Sequence, residues 1–372
     1  ALGEAKRFGK NVLVHVITKK GKGYEPAERA PEAYHNVAAK QKAPDSFHTV
    51  FVEELCREAE EDPKIVAITA AMSTGTGLYR FGERFPDRYF DVGIAEEHAL
   101  TFAAGLAAGG AHPYPVIYST FLQRAYDNIL HDVALQRLPV RMIIDRAGLA
   151  VADGATHHGI FDVAFLSEIP GVRILSPMTY GSLLAATRQI GSTEGPVALR
   201  YPNASEDAAV VQAFYPAGDY GNFGVRTDFD GRADAVFVTY GPLVTRTLAA
   251  EALLRAEGIS VGTVLLEELA PYDRTAHALL SVLSDADAVL FAEEGIKNGG
   301  AAMILKERLT DLGLPVARMA ISAIDDTFAS PDTPCDLYAS LGLSPECLAG
   351  RMRELLFASR PEGKTGKSAR GD

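Results

Sequence analysis

Two acids stand side by side in the stretch DVGIAEEHALTFAAGLAAG, residues 91–109. Tyr89, Phe90, Val92 and Ile94 read as the end of a buried strand, which delivers Glu96 and Glu97 to the mouth of a small, apolar helix that stops at Gly109-Gly110. A helix dipole favours a carboxylate at that position, so a plain helix-start acid explains the pair as well as proton-transfer chemistry does. Further on, thirteen residues hold Arg146, Asp153, His157 and His158 in a glycine-containing loop that runs to residue 159. Two adjacent histidines near an aspartate suit a metal, but no i,i+4 pair or third His or Cys ligand accompanies them. An ordinary polar surface loop accounts for the same spacing.

These residues need a scaffold, and the surrounding pattern supplies one. From Ser46, strands and helices alternate: a helix over 46–61 with Ser46 as its cap, a strand at 65–70, a helix near 77–85 and the strand before Glu96. Strands at 114–119, 140–145, 173–175 and 197–201 follow, with helices over 121–136 and 180–190. Such alternation predicts a parallel sheet covered on both faces. Residues 203–232 lose the rhythm and read as a linker with a hairpin. A second α/β unit spans 233–360, with strands at 235–240, 260–266, 288–292 and 317–321 and helices near 245–257 and 299–312. The fold class is therefore α/β, with two consecutive parallel-sheet domains, the first over 46–202. In open sheets of this kind, ligands sit at the carboxyl ends of strands. Glu96, Tyr118 to Phe121, Arg146 and Arg200-Tyr201 all fall at such ends.

The flanks behave differently. NVLVHVIT, residues 11–18, reads as a buried strand with no partner, which suggests that residues 1–45 are the remnant of another domain followed by an exposed connector. The tail at 361–372 has no apolar content and reads as disordered. The 372 residues carry a net charge of -12 and no basic cluster before the tail, which argues against a nucleic-acid partner. No apolar run reaches membrane-spanning length. Three cysteines, Cys56, Cys335 and Cys347, have no zinc spacing and read as free thiols, so the expected location is cytoplasmic.

Three segments resemble a known family closely: GIAEEHALTFAAGLAAGG, YSTFLQRAYDNILHDVALQRLPV and DRAGLAVADGATHHGIFD. They look like the pyrimidine-binding domain of transketolase-superfamily thiamine-diphosphate enzymes, and specifically like the 1-deoxy-D-xylulose-5-phosphate synthase family. HVITKKGKGYEPAE resembles the end of that family's diphosphate-binding domain. The resemblance implies a decarboxylative carboligation, in which pyruvate and glyceraldehyde 3-phosphate give 1-deoxy-D-xylulose 5-phosphate and CO2. It implies that Glu96 bonds the ring nitrogen N1′ of the cofactor's aminopyrimidine, that Phe121 stacks on this ring, and that Arg124 lies beside it. Tyr118, Arg146, Asp153 and Arg200 match positions that hold the acceptor phosphate, where two arginines suit a dianion. His157 matches a histidine at the substrate mouth, and His35 one on the connector that handles the donor. The family works as a homodimer.

Departures accompany the match. The GDG...N pattern that holds magnesium and the diphosphate is missing, so the Mg2+ ligands are expected on an N-terminal portion outside this sequence. Tyr201-Pro202-Asn203-Ala204 stands where the family has Tyr-Pro-Arg-Gly. EEGIKNGGAAMIL, residues 293–305, keeps an acid-then-double-glycine outline. A half subunit of another transketolase-like carboligase and a non-catalytic dimerisation scaffold are the alternatives.

Overall fold

The computed structural model describes residues 1–29, 45–151, 153–221, 224–329 and 337–359. His35 and the tail at 361–372 lie outside the described residues. The chain forms two compact units, residues 1–43 and 44–372. In the first, short helices at Leu2–Arg7 and Glu25–Arg29 flank residues 11–19, which form no strand and are exposed throughout. The buried strand expected at 11–18 is thus corrected. A strand needs edge partners for its N–H and C=O groups, and none pairs with it among the described residues.

In the second unit, seven strands form one sheet in the order β10-β5-β6-β4-β3-β1-β2. They are β1 Ile65–Thr69, β2 Tyr89–Asp91, β3 His112–Tyr118, β4 Arg141–Asp145, β5 Arg173–Leu175, β6 Val197–Arg200 and β10 Glu268–Ala270. All neighbours are parallel except β10, which runs antiparallel to β5. A second sheet has the order β12-β11-β8-β9-β7, with β7 Val225–Thr227, β8 Ala235–Thr239, β9 Val261–Leu266, β11 Ala288–Ile296 and β12 Met319–Ile324. Here β7 alone is antiparallel. The 203–232 segment therefore holds a helix, Ala208–Phe214, and an edge strand instead of the expected hairpin. β2 is also an edge strand, and Phe90 and Ile94 are exposed instead of buried.

The pleat sorts the first sheet's side chains onto two faces. Ile65, Ala67, Val116, Ile143, Val197 and Leu199 join Phe47, Phe51, Val52, Leu55 and Cys56 of the helix Phe47–Glu61. The spacing i, i+4, i+5, i+8, i+9 gives that helix one apolar stripe. On the opposite face Val66, Ile68, Met142, Ile144 and Ala198 meet Ala99, Leu100, Ala103 and Ala107 of the helix Glu96–Ala108. Small residues on that helix let its backbone approach the sheet closely. The same core continues through Val236, Val238, Val264, Val289 and Phe291 of the second sheet, so one apolar layer joins both. Two amphipathic helices, Tyr272–Leu283 and Pro345–Ser359, add to the expected elements. No helix among the described residues is long and apolar enough to cross a membrane.

Candidate active site

Because β1, β3, β4 and β6 are parallel neighbours, their carboxyl ends open along one edge of the sheet. Two non-glycine residues take left-handed backbone just past those ends, Ala71 after β1 and Arg146 after β4, each at φ 60°. Such conformations cost about 1–2 kcal/mol and persist where the surroundings enforce them.

The two acids of the opening stretch separate here. Glu97 is exposed, whereas Glu96, the first residue of its helix, is 2% exposed. Glu96 caps no backbone group: the residue before it, Ala95, is the N-cap, with no side-chain capping bond. Its two oxygens instead accept from Arg124 Nη1, at 3.1 and 3.3 Å. The Arg124 guanidinium also sits 5.6 Å from the centre of the Phe121 ring. Phe121 stacks on Tyr118 at 5.8 Å, with 16° between planes, and takes the His157 ring edge-on at 5.6 Å. A buried carboxylate, an arginine, two aromatic rings and an imidazole therefore form one chain of contacts.

Arg146 closes the other side. Its guanidinium lies 3.8 Å from the Tyr118 ring centre, donates from Nη1 to Asp145 Oδ2 at 2.7 Å and from Nη2 to the Gly75 carbonyl at 3.1 Å. Any Cβ at Gly75 would fall 1.8 Å from the Tyr118 hydroxyl, so a side chain there would force this tyrosine to move. Burial pushes the Tyr118 phenol up to about 12, keeping it a neutral hydroxyl. Burial also raises the Asp145 carboxyl to about 6, against the pull of Arg146. Its second oxygen is buried without a partner.

The loop after Arg146 is pinched at its neck by paired bonds between Gly148 and Gly159, each 2.8 Å. Asp153 is exposed near its tip. His157 Nδ1 lies 2.9 Å from Thr156 Oγ1, and Thr120 Oγ1 donates to the Thr156 carbonyl at 3.2 Å. His158 turns inward: it is buried, and its Nδ1 accepts from the Ala150 N–H at 3.0 Å. It is a core histidine whose proton affinity burial lowers. Among the described residues, no three His, Cys, Asp or Glu side chains converge as a metal set.

Arg200 is turned inward. It is 2% exposed and forms a forked pair with Asp162, Nε to Oδ2 at 2.8 Å and Nη2 to Oδ1 at 3.2 Å. A third bond reaches Ser176 Oγ at 3.3 Å, and Tyr240 covers the guanidinium at 5.3 Å. The fork is spent on protein groups. Asn203, three residues on, is exposed. Ser46 is the N-cap residue of the helix Phe47–Glu61, as expected, but its hydroxyl meets His48 Nδ1 and Thr49 Oγ1, both at 3.0 Å, and accepts from no backbone N–H.

His48 itself went unnoticed in the sequence. Burial, then the charges of Arg146 and Arg80, hold its pKa down to about 4, so a neutral imidazole faces the arginine side of the cleft. Adjacent acids on β11 were visible only as an outline. Glu293 accepts from the Ala302 N–H at 3.2 Å and from Tyr240 Oη at 3.1 Å. It thereby caps the helix Ala301–Asp311, and a Cβ at Gly300 would lie 2.1 Å from its Oε1. That explains Gly300, whereas Gly299 sits at φ +76°, which favours glycine on its own. Glu294 faces the other way, toward Leu149. Burial raises both carboxyls to about 7.

Two family models match the chain in succession: transketolase, pyrimidine binding domain, over residues 45–205, and transketolase, C-terminal domain, over 225–348. A 1-deoxy-D-xylulose-5-phosphate synthase of Syntrophotalea carbinolica is 42% identical over 364 residues, which is 95% of this chain and 56% of the relative. One from Gloeobacter violaceus is 42% identical over 357 residues, 93% of this chain and 55% of the relative. The chain thus spans about half the length of these curated relatives. A solved structure described as a split gene transketolase, inactive beta4 tetramer, superposes with a TM-score of 0.73 at 25% identity, covering 86% of this chain and all of that one. The chain belongs to the transketolase family, of which it carries the pyrimidine-binding and C-terminal domains, and along almost its whole length it is similar to 1-deoxy-D-xylulose-5-phosphate synthases.

Proposed function

We propose that this chain is the pyrimidine-binding and C-terminal part of a thiamine-diphosphate-dependent carboligase. The reaction joins pyruvate to glyceraldehyde 3-phosphate, giving 1-deoxy-D-xylulose 5-phosphate and CO2. One observation carries the reading: a carboxylate 2% exposed, capping nothing, linked through Arg124 to the half-buried ring of Phe121. These residues fit an aromatic heterocycle with a basic ring nitrogen, since Glu96 offers the acceptor and Phe121 the platform. Thiamine diphosphate, when bound, supplies a carbon nucleophile and an electron sink. Glu96 holds the proton at the pyrimidine N1′ atom, and Arg124 fixes the carboxylate's orientation. His157 gives the aldehyde oxygen the proton it takes as the carbon–carbon bond forms. Pyruvate, the aldehyde and that proton then balance the ketose phosphate and CO2.

Arg146, Tyr118 and Asp153 hold the acceptor, with the Arg146 guanidinium supplying positive charge beside its phosphate. Magnesium and the diphosphate are assigned to a diphosphate-binding portion, for which the greater length of the relatives leaves room. The split gene transketolase, described as inactive, supports reading this chain as one half of a site. A cytoplasmic homodimer completes the reading. A second acceptor class is favoured by one observation: with Arg200 buried and Asn203 exposed, Arg146 is the one arginine of the expected pair on the cleft. That arrangement suits an aldehyde of lower charge.

The test combines the chain with a diphosphate-binding portion, thiamine diphosphate, Mg2+ and labelled pyruvate, with phosphorylated and unphosphorylated aldehydes as acceptors. Labelled deoxyxylulose phosphate is the expected product, and Glu96→Ala abolishes it while circular dichroism stays unchanged. Turnover by Glu96→Ala near the parent rate sinks the cofactor assignment.

A further inference from the structure

The loop from Arg146 to Gly159 belongs to the first domain, yet its neck is held by the second. Glu294 lies on β11 and is 2% exposed. Its Oε1 accepts from the Leu149 N–H at 2.5 Å and from Tyr338 Oη at 3.1 Å. Two residues along the strand, the Ile296 N–H donates to the Ile160 carbonyl at 2.9 Å. β11 therefore grips both strands of the neck, one residue beyond each half of the Gly148–Gly159 pair. Gly148 sits at φ +97°, and a Cβ there would fall 2.6 Å from Glu294 Oε1. The carboxylate occupies the space that a side chain would need.

Stability alone is a poor account of this acid. A buried carboxyl with one oxygen unpartnered, as Glu294 Oε2 is, costs free energy that an apolar residue of similar size would not. What Glu294 does supply is direction. The hydrogen bond to the Glu294 carboxyl fixes the Leu149 peptide, and the neck then sets where the tip falls. Ala150 anchors His158 at 3.0 Å, and the adjacent His157 meets Phe121 edge-on.

We propose that Glu294 is a positioning residue through which the C-terminal domain sets the loop carrying Asp153 and His157 over the cleft. Its effect on turnover rests on the function proposed above, whereas its effect on the loop does not.

Hydrogen–deuterium exchange of the full 372-residue chain tests the loop directly. Glu294→Ala is expected to speed exchange at the Leu149 and Gly159 amides at least tenfold, leaving β1, β3 and β4 protected. Glu294→Gln, which keeps an acceptor oxygen, restores most of the protection. Unchanged exchange at the neck, or uniform loosening of both sheets, overturns the proposal. In the assembled enzyme, Glu294→Ala raises the KM for the acceptor about tenfold and lowers kcat, and Glu294→Gln restores most of both. A loosened neck with an unchanged acceptor KM also overturns it. Activity retained by Glu96→Ala, with the neck loosened as expected, would instead count against the function and leave the positioning of the loop standing.

Discussion

Replacing Arg200 with methionine separates a buried structural pair from a substrate contact. Arg200 and Asp162 are 2% and 1% exposed, and three hydrogen bonds hold the guanidinium. Methionine fills much of the volume but leaves the Asp162 carboxylate buried without its cation. Breaking such a pair from one side costs about 3–5 kcal/mol. For a unit of this size each kcal/mol lowers Tm by roughly 2 °C, so calorimetry should show a fall of roughly 6–10 °C. Replacing both partners, Arg200→Met with Asp162→Leu, removes the stranded charge and should recover most of the loss. The reasoning is refuted by a single variant that melts within about 1 °C of the parent and shows only a raised acceptor KM. That result would mean the fork leaves Asp162 and reaches the cleft.

Stability should also fall as pH rises. Burial raises Asp145 to about 6, Glu293 and Glu294 to about 7, and Glu251, beside Asp228, to about 8. The native state thus keeps protons that the unfolded chain has released, and the stability they confer is lost as pH passes through the folded values. His48, depressed to about 4, acts oppositely, but only below its unfolded value of 6.5. Between about pH 6.5 and 8.5 the carboxyls therefore dominate, and Tm declines. A Tm that climbs across that range contradicts the assignment, and Glu293→Gln should flatten the slope. Gly300→Ala, with its Cβ 2.1 Å from Glu293 Oε1, should cost about 2–3 kcal/mol by denaturant unfolding. A cost within experimental error would show that Glu293 does not cap the helix Ala301–Asp311.

The α/β frame was legible because β1, β4 and β8 are runs of β-branched and apolar residues bounded by turns, a pattern that buried parallel strands need. Glu96 and Glu97 could not be told apart by pattern, since neighbouring residues on a helix differ by only 100° of rotation; burial separates them. The burial of Arg200 was illegible for a different reason. A strand-end arginine looks functional, and its partner Asp162 lies thirty-eight residues away, joined only in space. β7 and β10, three residues each, are too short for any periodicity to mark. His48 was hidden because a histidine in the first turn of a helix looks like solvent-facing polarity until Arg146 is brought beside it.

β10 has a consequence for how the molecule comes apart. It contributes three residues from the C-terminal half to the border of the first sheet, where β5 would otherwise present free N–H and C=O groups. Arg173 to Glu268 at 2.5 Å, and the Ser176 N–H to the Glu267 carbonyl at 2.8 Å, lock the seam. The halves matched by two separate family models therefore share a sheet, and neither can unfold without stripping the other. Residues 44–372 should melt in one cooperative transition. A fragment cut at the linker would carry a sticky border prone to self-association, so the modularity apparent in the sequence is not modularity in folding.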